Sequence, residues 1–200
     1  MLPDGAPLPK LESRFRRFLA ELDRCEGYVA GHSVAVGKTA LRLARTLDVA
    51  SGELPAVTLG ALMHDIGKVF VDGRLLGKQA PLTTAETETI RLHPLLGEAL
   101  LAPTVPHTTV LGIVRWHHER WDGGGYPDGL EGPATPLGAR IVATADAFVA
   151  MRESRAYRPS RSLDAAVDEL QRRSGDQFDP VCVDALLDAL GKVRREREVA

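Results

Sequence analysis

Residues 36–49 read VGKTALRLARTLDV, and their apolar and charged side chains recur with the period of an α-helix. Five apolar side chains fall on one face: Val36, Ala40, Leu43, Ala44 and Leu47. Four charged side chains fall on the other faces: Lys38, Arg42, Arg45 and Asp48. This pattern predicts an amphipathic helix whose apolar face is buried against other elements.

Helix start signals recur along the rest of the chain. Thr83 followed by Glu86 has the spacing of a capping box, and Ser162 is a second candidate N-cap. Asp179 followed by Pro180 has the order of an N-cap and a first helical residue. Strict alternation of apolar and polar residues, which indicates strands, is not sustained anywhere. We therefore predict an all-α fold.

The two ends of the chain differ from its middle. Residues 1–26 begin with a proline-rich leader and continue into an amphipathic segment from Leu11 to Leu22, which we interpret as a helix. Periodicity leaves open whether this helix covers the core or forms the seam of a homodimer. Residues 194–200 form a charged tail. The predicted domain is the intervening segment, residues 27–193.

One internal segment resists a helical interpretation. Residues 121–138 contain six glycines and three prolines. Glycine costs about 1 kcal/mol and proline about 3 kcal/mol in a helix interior, so this segment is predicted to be a loop. Long loops inside compact helical domains are uncommon unless they are functional. We therefore expect this loop to lie at a functional site.

Composition excludes several classes of function. The chain has 200 residues, a formal net charge of -2 and a pI near 6.3, which gives no footprint for binding bulk nucleic acid or an anionic membrane. No apolar stretch is long enough to span a bilayer, and the N-terminus lacks the pattern of a secretory signal. Cys25 and Cys182 suggest neither a disulfide framework nor a metal-binding pair. We expect a cytoplasmic protein.

The histidines carry the strongest chemical signal. Two adjacent pairs, His64-Asp65 and His117-His118, each place two possible ligands at one point of the chain. Neighbouring residues of a helix differ by about 100° in direction, so both members of a pair can reach one cluster at a helix end. Imidazole and carboxylate ligands together suit Fe, Mn, Zn or Ni rather than Ca. The spacing therefore predicts a transition-metal site.

Two motifs resemble a known family. Residues 64–68, HDIGK, resemble the signature of the HD superfamily of metal-dependent phosphohydrolases. Residues 117–127, HHERWDGGGYP, are similar to the extended signature of its HD-GYP subfamily. The resemblance covers about residues 27–190 of the chain. Members of this subfamily are bacterial, helical phosphodiesterases that hydrolyse cyclic di-GMP. The resemblance thus implies a single compact HD-domain bundle of about seven or eight helices, with a Gly/Pro-rich loop and that activity.

The resemblance also implies a ligand set. The family's metal ligands fall on seven residues of this chain: His32, His64, Asp65, His93, His117, His118 and Asp146. Tyr28 stands where some members carry a glutamate that binds a third metal, so we predict two divalent ions, Fe or Mn, bridged by Asp65 and a hydroxide. Glu119 and Asp122 are expected to orient the adjacent histidine pair. His107 is left without a role, as a surface or packing residue.

Catalytic and substrate-binding roles follow from the same resemblance. Asp65 and Lys68 are the predicted catalytic residues, with the Lys68 ammonium holding the scissile phosphate or protonating the leaving oxygen. The predicted substrate contacts are Lys68, Gly125, Tyr126, Arg155 and Arg158. Three alternatives stay open: Lys68 pairs with helix-end carbonyls, Tyr126 only anchors its loop, and the two arginines belong to a solvated basic stretch.

The predicted reaction opens cyclic di-GMP to linear pGpG, with further hydrolysis to GMP left open. Val149, Arg152 and Ala156 depart from the family pattern, in which Asp, Thr and Pro are usual. These departures leave two alternatives, a hydrolase of another cyclic dinucleotide or a low-activity module that binds cyclic di-GMP or a partner protein. About 30 residues precede His32, so we expect that input either comes from a partner, such as a diguanylate cyclase or an upstream sensor protein, or is absent.

Overall fold

The computed structural model describes residues 29–154 and 159–198, and these form α-helices and short 3₁₀ turns with no β-strand. The α-helices are α1 (Val29–Thr46), α2 (Leu54–Met63), α3 (Gly73–Leu76), α4 (Thr84–Arg91), α5 (His93–Leu101), α6 (Thr108–Trp116), α7 (Leu137–Arg152), α8 (Leu163–Arg172) and α9 (Pro180–Glu198). The 3₁₀ turns are Ile66–Phe70 and Gly132–Ala134. The predicted all-α fold is confirmed. The leader at residues 1–26 lies outside the described residues, and the domain boundaries stay a prediction.

Residues 36–46 of the predicted helix form the C-terminal part of α1, whereas residues 47–49 follow its end. Four of the five predicted core side chains are fully buried: Val36, Ala40, Leu43 and Ala44. The fifth, Leu47, is partly buried and packs against the same core cluster. The charged residues of the same stretch are exposed. The period of the sequence therefore identified the buried face of α1 correctly.

Helix α2 is apolar on every side and is the most deeply buried element of the described residues. Val57 and Ala61 belong to one core cluster, whereas Leu59 and Met63 belong to a second one. A helix that is apolar all round is stable only where other elements surround it. Because α2 is buried up to its last residue, Met63, the next residue, His64, also lies in the protein interior.

The helices around α2 bring distant parts of the chain to its C-terminal end. Helix α1 packs against both α2 and α7, and α6 packs against α2 and α5. The 3₁₀ turn Ile66–Phe70 packs against α5. These contacts place His32 of α1 and Asp146 of α7 near the end of α2. Helix packing thus brings together the candidate ligands that the sequence places far apart.

The predicted helix starts are confirmed. Thr83 and Glu86 form a complete capping box at the start of α4. The Ser162 side chain accepts a hydrogen bond from the backbone of Ala165 at the start of α8. Asp179 accepts the backbone N–H of Val181 at 2.9 Å, at the start of α9. Each cap satisfies an N–H group that a helix end leaves without an internal partner.

The glycine-rich segment is a loop, as predicted, and both of its ends are anchored. At one end the backbone of Trp121 and Asp122 bonds to the backbone of residues 176–177. At the other end the Arg140 guanidinium donates to the buried Asp179 carboxylate and, at 2.8 Å, to the Thr135 carbonyl. Helix α7 begins at Leu137, so the last two residues of the predicted loop are helical.

Gly67 allows the closest backbone approach near the histidines. A Cβ atom at this position would lie 1.9 Å from the His93 carbonyl oxygen and 2.6 Å from the Gly97 nitrogen. Only a residue without a side chain therefore lets the turn after Asp65 lie against α5. This contact explains the glycine of the HDIGK motif in terms of packing.

Replacing Gly67 with Ala is expected to lower the free energy of unfolding by about 1 to 3 kcal/mol or more, because the turn and α5 must separate. Urea unfolding followed by circular dichroism measures this change. Gly31→Ala is the matched control, since a Cβ at Gly31 meets no atom within 4 Å. An unfolding free energy of Gly67→Ala equal to that of the parent chain would contradict the account of this contact.

Candidate metal centre

Six of the seven predicted ligands form two donor groups that share one carboxylate. The first group is His32, His64 and Asp65, and the second is Asp65, His93, His117 and His118. Within each group, one ligand atom from every residue lies within 4.8 Å of the others. Asp146, the seventh, has its Oδ1 atom 2.9 Å from His32 Nε2 and 3.9 Å from His64 Nε2. These clusters can hold divalent metal ions, and the individual ligand roles stay predictions.

Backbone carbonyls fix the orientation of three of the histidine rings. The Nδ1–H groups of His64, His93 and His117 each donate to the carbonyl three residues earlier, at 2.7, 2.8 and 2.9 Å. The accepting residues are Ala61, Ile90 and Val114. In the neutral rings this leaves Nε2 with a lone pair aimed at the cluster. A hydrogen bond of this kind on the outer nitrogen is the usual support of a metal-binding histidine.

His32 is supported in a different way. Its ring lies between two carboxylates of the segment around α7, with Nε2 2.9 Å from Asp146 Oδ1 and Nδ1 2.8 Å from Glu153 Oε2. Sequence reasoning did not single out Glu153. Glu153 follows Asp146 by seven residues, but it lies just past the end of α7 in extended backbone, so helical periodicity gave no signal for this contact.

The donor atoms fit bound cations. His93 Nε2 and His117 Nε2 lie 3.3 Å apart. In neutral rings both atoms carry lone pairs, which repel each other unless a cation binds to both. His64 Nε2 and Asp65 Oδ1 are buried and have no hydrogen-bond partner among the described residues. Bonds from a first-row metal such as zinc to nitrogen or oxygen are about 2.1 Å, so adjacent ligands of one ion lie roughly 3.0 to 3.4 Å apart. Three separations match that range: His93 Nε2 to His117 Nε2 at 3.3 Å, His64 Nε2 to Asp65 Oδ2 at 3.3 Å, and His93 Nε2 to Asp65 Oδ1 at 3.2 Å.

Burial and neighbouring charges hold Asp65, His117 and His118 in protonation states that favour metal binding. Burial, assisted by His118, holds the pKa of His117 well below 6.5, and burial with His93 lowers the pKa of His118 to about 3. Burial opposes ionisation of Asp65, but Lys68 and the histidines outweigh it and hold the Asp65 pKa well below 3.8. Neutral imidazoles and an ionised carboxylate are the forms that bind metals. His64 differs, because burial opposes its protonation but the adjacent Asp65 carboxylate outweighs burial and raises the pKa of His64 to about 9, so this ring must release a proton to bind a metal.

Lys68 lies at the exposed edge of the cluster. Its Nζ atom donates to Asp65 Oδ2 at 2.6 Å, and about a third of its side chain, 32%, is exposed. The structure thus shows the ammonium group paired with a carboxylate, and not with helix-end carbonyls as the open alternative had it. Lys68 is therefore placed to contact both Asp65 and a bound anion, and its catalytic role stays a prediction.

The Gly125–Tyr126 part of the loop covers the second donor group. The Tyr126 ring stacks on the His118 ring with centroids 4.8 Å apart and planes 21° apart. On the loop side, a Cβ at Gly125 would lie 2.4 Å from the Arg120 nitrogen, so only glycine fits there. The Arg91 guanidinium lies 5.2 Å from the centre of the Tyr126 ring, a contact that sequence reasoning missed. Tyr126 thus forms a wall beside His118, and its contact with substrate stays a prediction.

Glu119 and Asp122 do not orient the adjacent histidines, so that prediction was wrong. The buried Glu119 carboxylate accepts three backbone N–H groups of the loop, from Asp128, Gly129 and Leu130, at 2.7 to 3.1 Å. Asp122 pairs with the Arg120 guanidinium and accepts the N–H of Gly124. Both carboxylates lie where they complete the hydrogen bonds of a loop that has few of its own. They shape the glycine-rich loop.

Glu119→Gln is expected to loosen the loop, because an amide offers one acceptor oxygen where the carboxylate offers two. Losing a charged acceptor from buried N–H groups costs roughly 1 to 3 kcal/mol. Hydrogen exchange of the amides of residues 128–130 reports this directly and should become faster. Glu131→Gln, at an exposed position of the same loop, is the control and should leave the exchange unchanged. Unaltered protection in Glu119→Gln would refute this role.

The remaining predicted residues lie away from the two donor groups or outside the described residues. Arg155 and Arg158, with Ala156 between them, fall outside the described residues. Val149, where the family usually carries Asp, is 6% exposed and belongs to the main core cluster. Arg152 donates to the Arg161 carbonyl at 2.6 Å.

His107 is half-buried just before α6 and belongs to neither donor group. None of the described helices combines the length and apolarity needed to cross a membrane.

Comparisons with known proteins agree with the fold and the motifs. A model of the HD domain family matches residues 10–182. The chain is 38% identical over 188 residues to the cyclic di-GMP phosphodiesterase response regulator RpfG of Xanthomonas campestris, a match that covers 91% of this chain and 50% of that protein. It is 34% identical over 169 residues to 3′3′-cGAMP-specific phosphodiesterase 3 of Vibrio cholerae, covering 84% of this chain and 37% of that protein.

A solved structure shows the same fold. Bd1817, described as a HDG"Y"P protein from Bdellovibrio bacteriovorus, superposes with a TM-score of 0.67 at 22% identity, covering 82% of this chain and 52% of that one. The chain spans half or less of the length of the two curated relatives. The HD and HD-GYP motifs predicted this relationship, and the matches confirm it. The chain belongs to the HD-domain family.

Proposed function

We propose that this chain is a metal-dependent phosphodiesterase that hydrolyses cyclic di-GMP to linear pGpG. The observation that carries the proposal is the pair of donor groups sharing Asp65. Two ions joined by one carboxylate form the arrangement that clamps the attacking and leaving oxygens of a phosphate ester. The relative named as a cyclic di-GMP phosphodiesterase, 38% identical over 188 residues, supports the choice of substrate. Hydrolysis onward to GMP stays open.

The proposed centre holds two divalent ions, Fe or Mn. One ion would be held by His32, His64 and Asp146, the other by His93, His117 and His118, with Asp65 bridging both. When bound, such ions lower the pKa of a shared water and neutralise the phosphoryl oxygens. Mixed imidazole and carboxylate donors suit Fe and Mn equally well. The ligand types therefore do not distinguish the two metals.

The residues at the edge of the centre are proposed to handle the substrate. Water attacks phosphorus, the bond from phosphorus to the 3′ oxygen breaks, and that oxygen needs a proton. The partly exposed Lys68 ammonium is proposed to hold the scissile phosphate or to supply this proton. Tyr126 and Gly125 are proposed to line the path to the second donor group, and Arg155 and Arg158 to bind phosphate oxygens through their guanidinium forks.

A second candidate is hydrolysis of another cyclic dinucleotide. The 34% identity to a protein named as a 3′3′-cGAMP-specific phosphodiesterase, over 84% of this chain, favours this candidate specifically. The two substrates differ in one base, so the metal ions and Lys68 would serve both equally. Discrimination between them falls to groups that contact the bases.

Product analysis tests both candidates. The chain is purified anaerobically, loaded with Fe²⁺ or Mn²⁺, and given cyclic di-GMP and 3′3′-cGAMP separately and in competition, with products resolved by chromatography. We expect pGpG from cyclic di-GMP, and no product from Asp65→Ala. Preferential loss of 3′3′-cGAMP would favour the second candidate. Binding of cyclic di-GMP without any product would replace the proposal with a low-activity binding module.

A further inference from the structure

We propose that Glu153 is a positioning residue that fixes the His32 ring at the metal centre; this inference rests on the proposed metal site. Glu153 Oε2 accepts a hydrogen bond from His32 Nδ1 at 2.8 Å. The His32 side chain is 6% exposed and that of Glu153 is 26% exposed, so the bond is partly shielded from water. Glu153 contacts the ring on the side opposite the proposed ion and is not itself a ligand.

The position of His32 in its helix explains why a side chain must supply this contact. His64 and His117 directly follow the last residues of α2 and α6, and their Nδ1 atoms reach carbonyls in the last turn of those helices. The last carbonyls of a helix have no internal partner and are free to accept. His32 instead lies within α1, where the carbonyl three residues earlier, that of Val29, belongs to the same helix and is not at its C-terminal end. Its Nδ1 therefore needs an acceptor from another element.

Helix α7 and the residue that follows it supply contacts to both nitrogens of the ring. Asp146 faces Nε2 and Glu153, the residue after the end of α7, faces Nδ1. These two contacts hold the ring so that Nε2 points towards Asp146 and His64 rather than rotating about χ2. Supports of this kind are worth roughly 10- to 100-fold in metal affinity.

The test is a calorimetric titration of the metal-free chain with Mn²⁺. Glu153→Ala is expected to weaken one of the two Mn²⁺ sites by about 10- to 100-fold and to leave the other unchanged. Glu153→Gln should stay close to the parent chain, because its amide oxygen still accepts the Nδ1–H group. Asp184→Ala, at an exposed position of α9, is the control for removing a carboxylate and should have no effect.

A spectroscopic readout separates positioning from folding. In the Zn²⁺-loaded chain the Nδ1–H proton of His32 should exchange slowly with solvent, more quickly in Glu153→Ala, and slowly again in Glu153→Gln. Equal Mn²⁺ affinities in Glu153→Ala and the parent chain, or a His32 Nδ1–H that exchanges equally in all three chains, would overturn the role of Glu153 alone. A parent chain that binds no Mn²⁺ would overturn the metal centre and this role together.

Discussion

Asp65→Ala is expected to abolish hydrolysis of cyclic di-GMP and to lower the content of both metal ions. Asp65 is the residue common to the two donor groups, so its loss removes a ligand from each ion. Loss of one stabilising donor at a reacting phosphate or acyl group costs roughly 10²- to 10³-fold in turnover. Removal of the bridging carboxylate should cost more than that. Turnover and metal content per chain, measured on the same sample, check the result.

The fold should survive this substitution. Asp65 lies in the turn after α2, and the two core clusters do not include its side chain. Circular dichroism should therefore show nearly unchanged helix content. Asp168→Ala, at an exposed position of α8, is the matched control and should keep full activity. Normal turnover and metal content in Asp65→Ala would refute the bridging assignment.

Lys68→Ala is expected to lower turnover by about 10²- to 10⁴-fold while both metal ions stay bound. The Lys68 ammonium contacts Asp65 Oδ2 at 2.6 Å but contributes no lone pair to a metal, so its loss leaves the ligand set complete. Its proposed task, holding the phosphate or protonating the 3′ oxygen, concerns only the substrate. Steady-state kinetics together with metal analysis separates these two effects.

The outcome for Lys68 discriminates between its open roles. Lys68→Arg keeps the positive charge and should retain more activity if the ammonium binds phosphate than if it donates the proton, because guanidinium does not give up a proton readily. Lys38→Ala, at an exposed position of α1, controls for the loss of a lysine. Unchanged turnover in Lys68→Ala would remove this residue from the mechanism.

The parts of the fold that local sequence determines were predicted correctly. The buried face of α1 follows from a 3.6-residue period, and the starts of α4, α8 and α9 follow from side chains that cap nearby N–H groups. Both signals act within a few residues, so they can be recognised without knowing the tertiary structure. The glycine-rich loop was predictable for the same reason.

Contacts that depend on long-range packing could not be predicted from the sequence. The motifs named the histidines, but only the packing of α1 against α7 places Glu153 beside His32. Glu119 was expected to orient its histidine neighbours, yet it turns towards the N–H groups of residues 128–130. The direction in which a side chain points at a helix end depends on the course of the following loop. The sequence pattern does not specify that course.

The central claim is that two ions sharing Asp65 form the catalytic centre. Single-turnover hydrolysis of cyclic di-GMP, measured while metal-free chain is titrated with Mn²⁺, tests this claim most directly. The account predicts that product appears in step with occupancy of the second site and reaches its maximum at two Mn²⁺ ions per chain. Full turnover with one ion, or no hydrolysis with two ions bound, would contradict it.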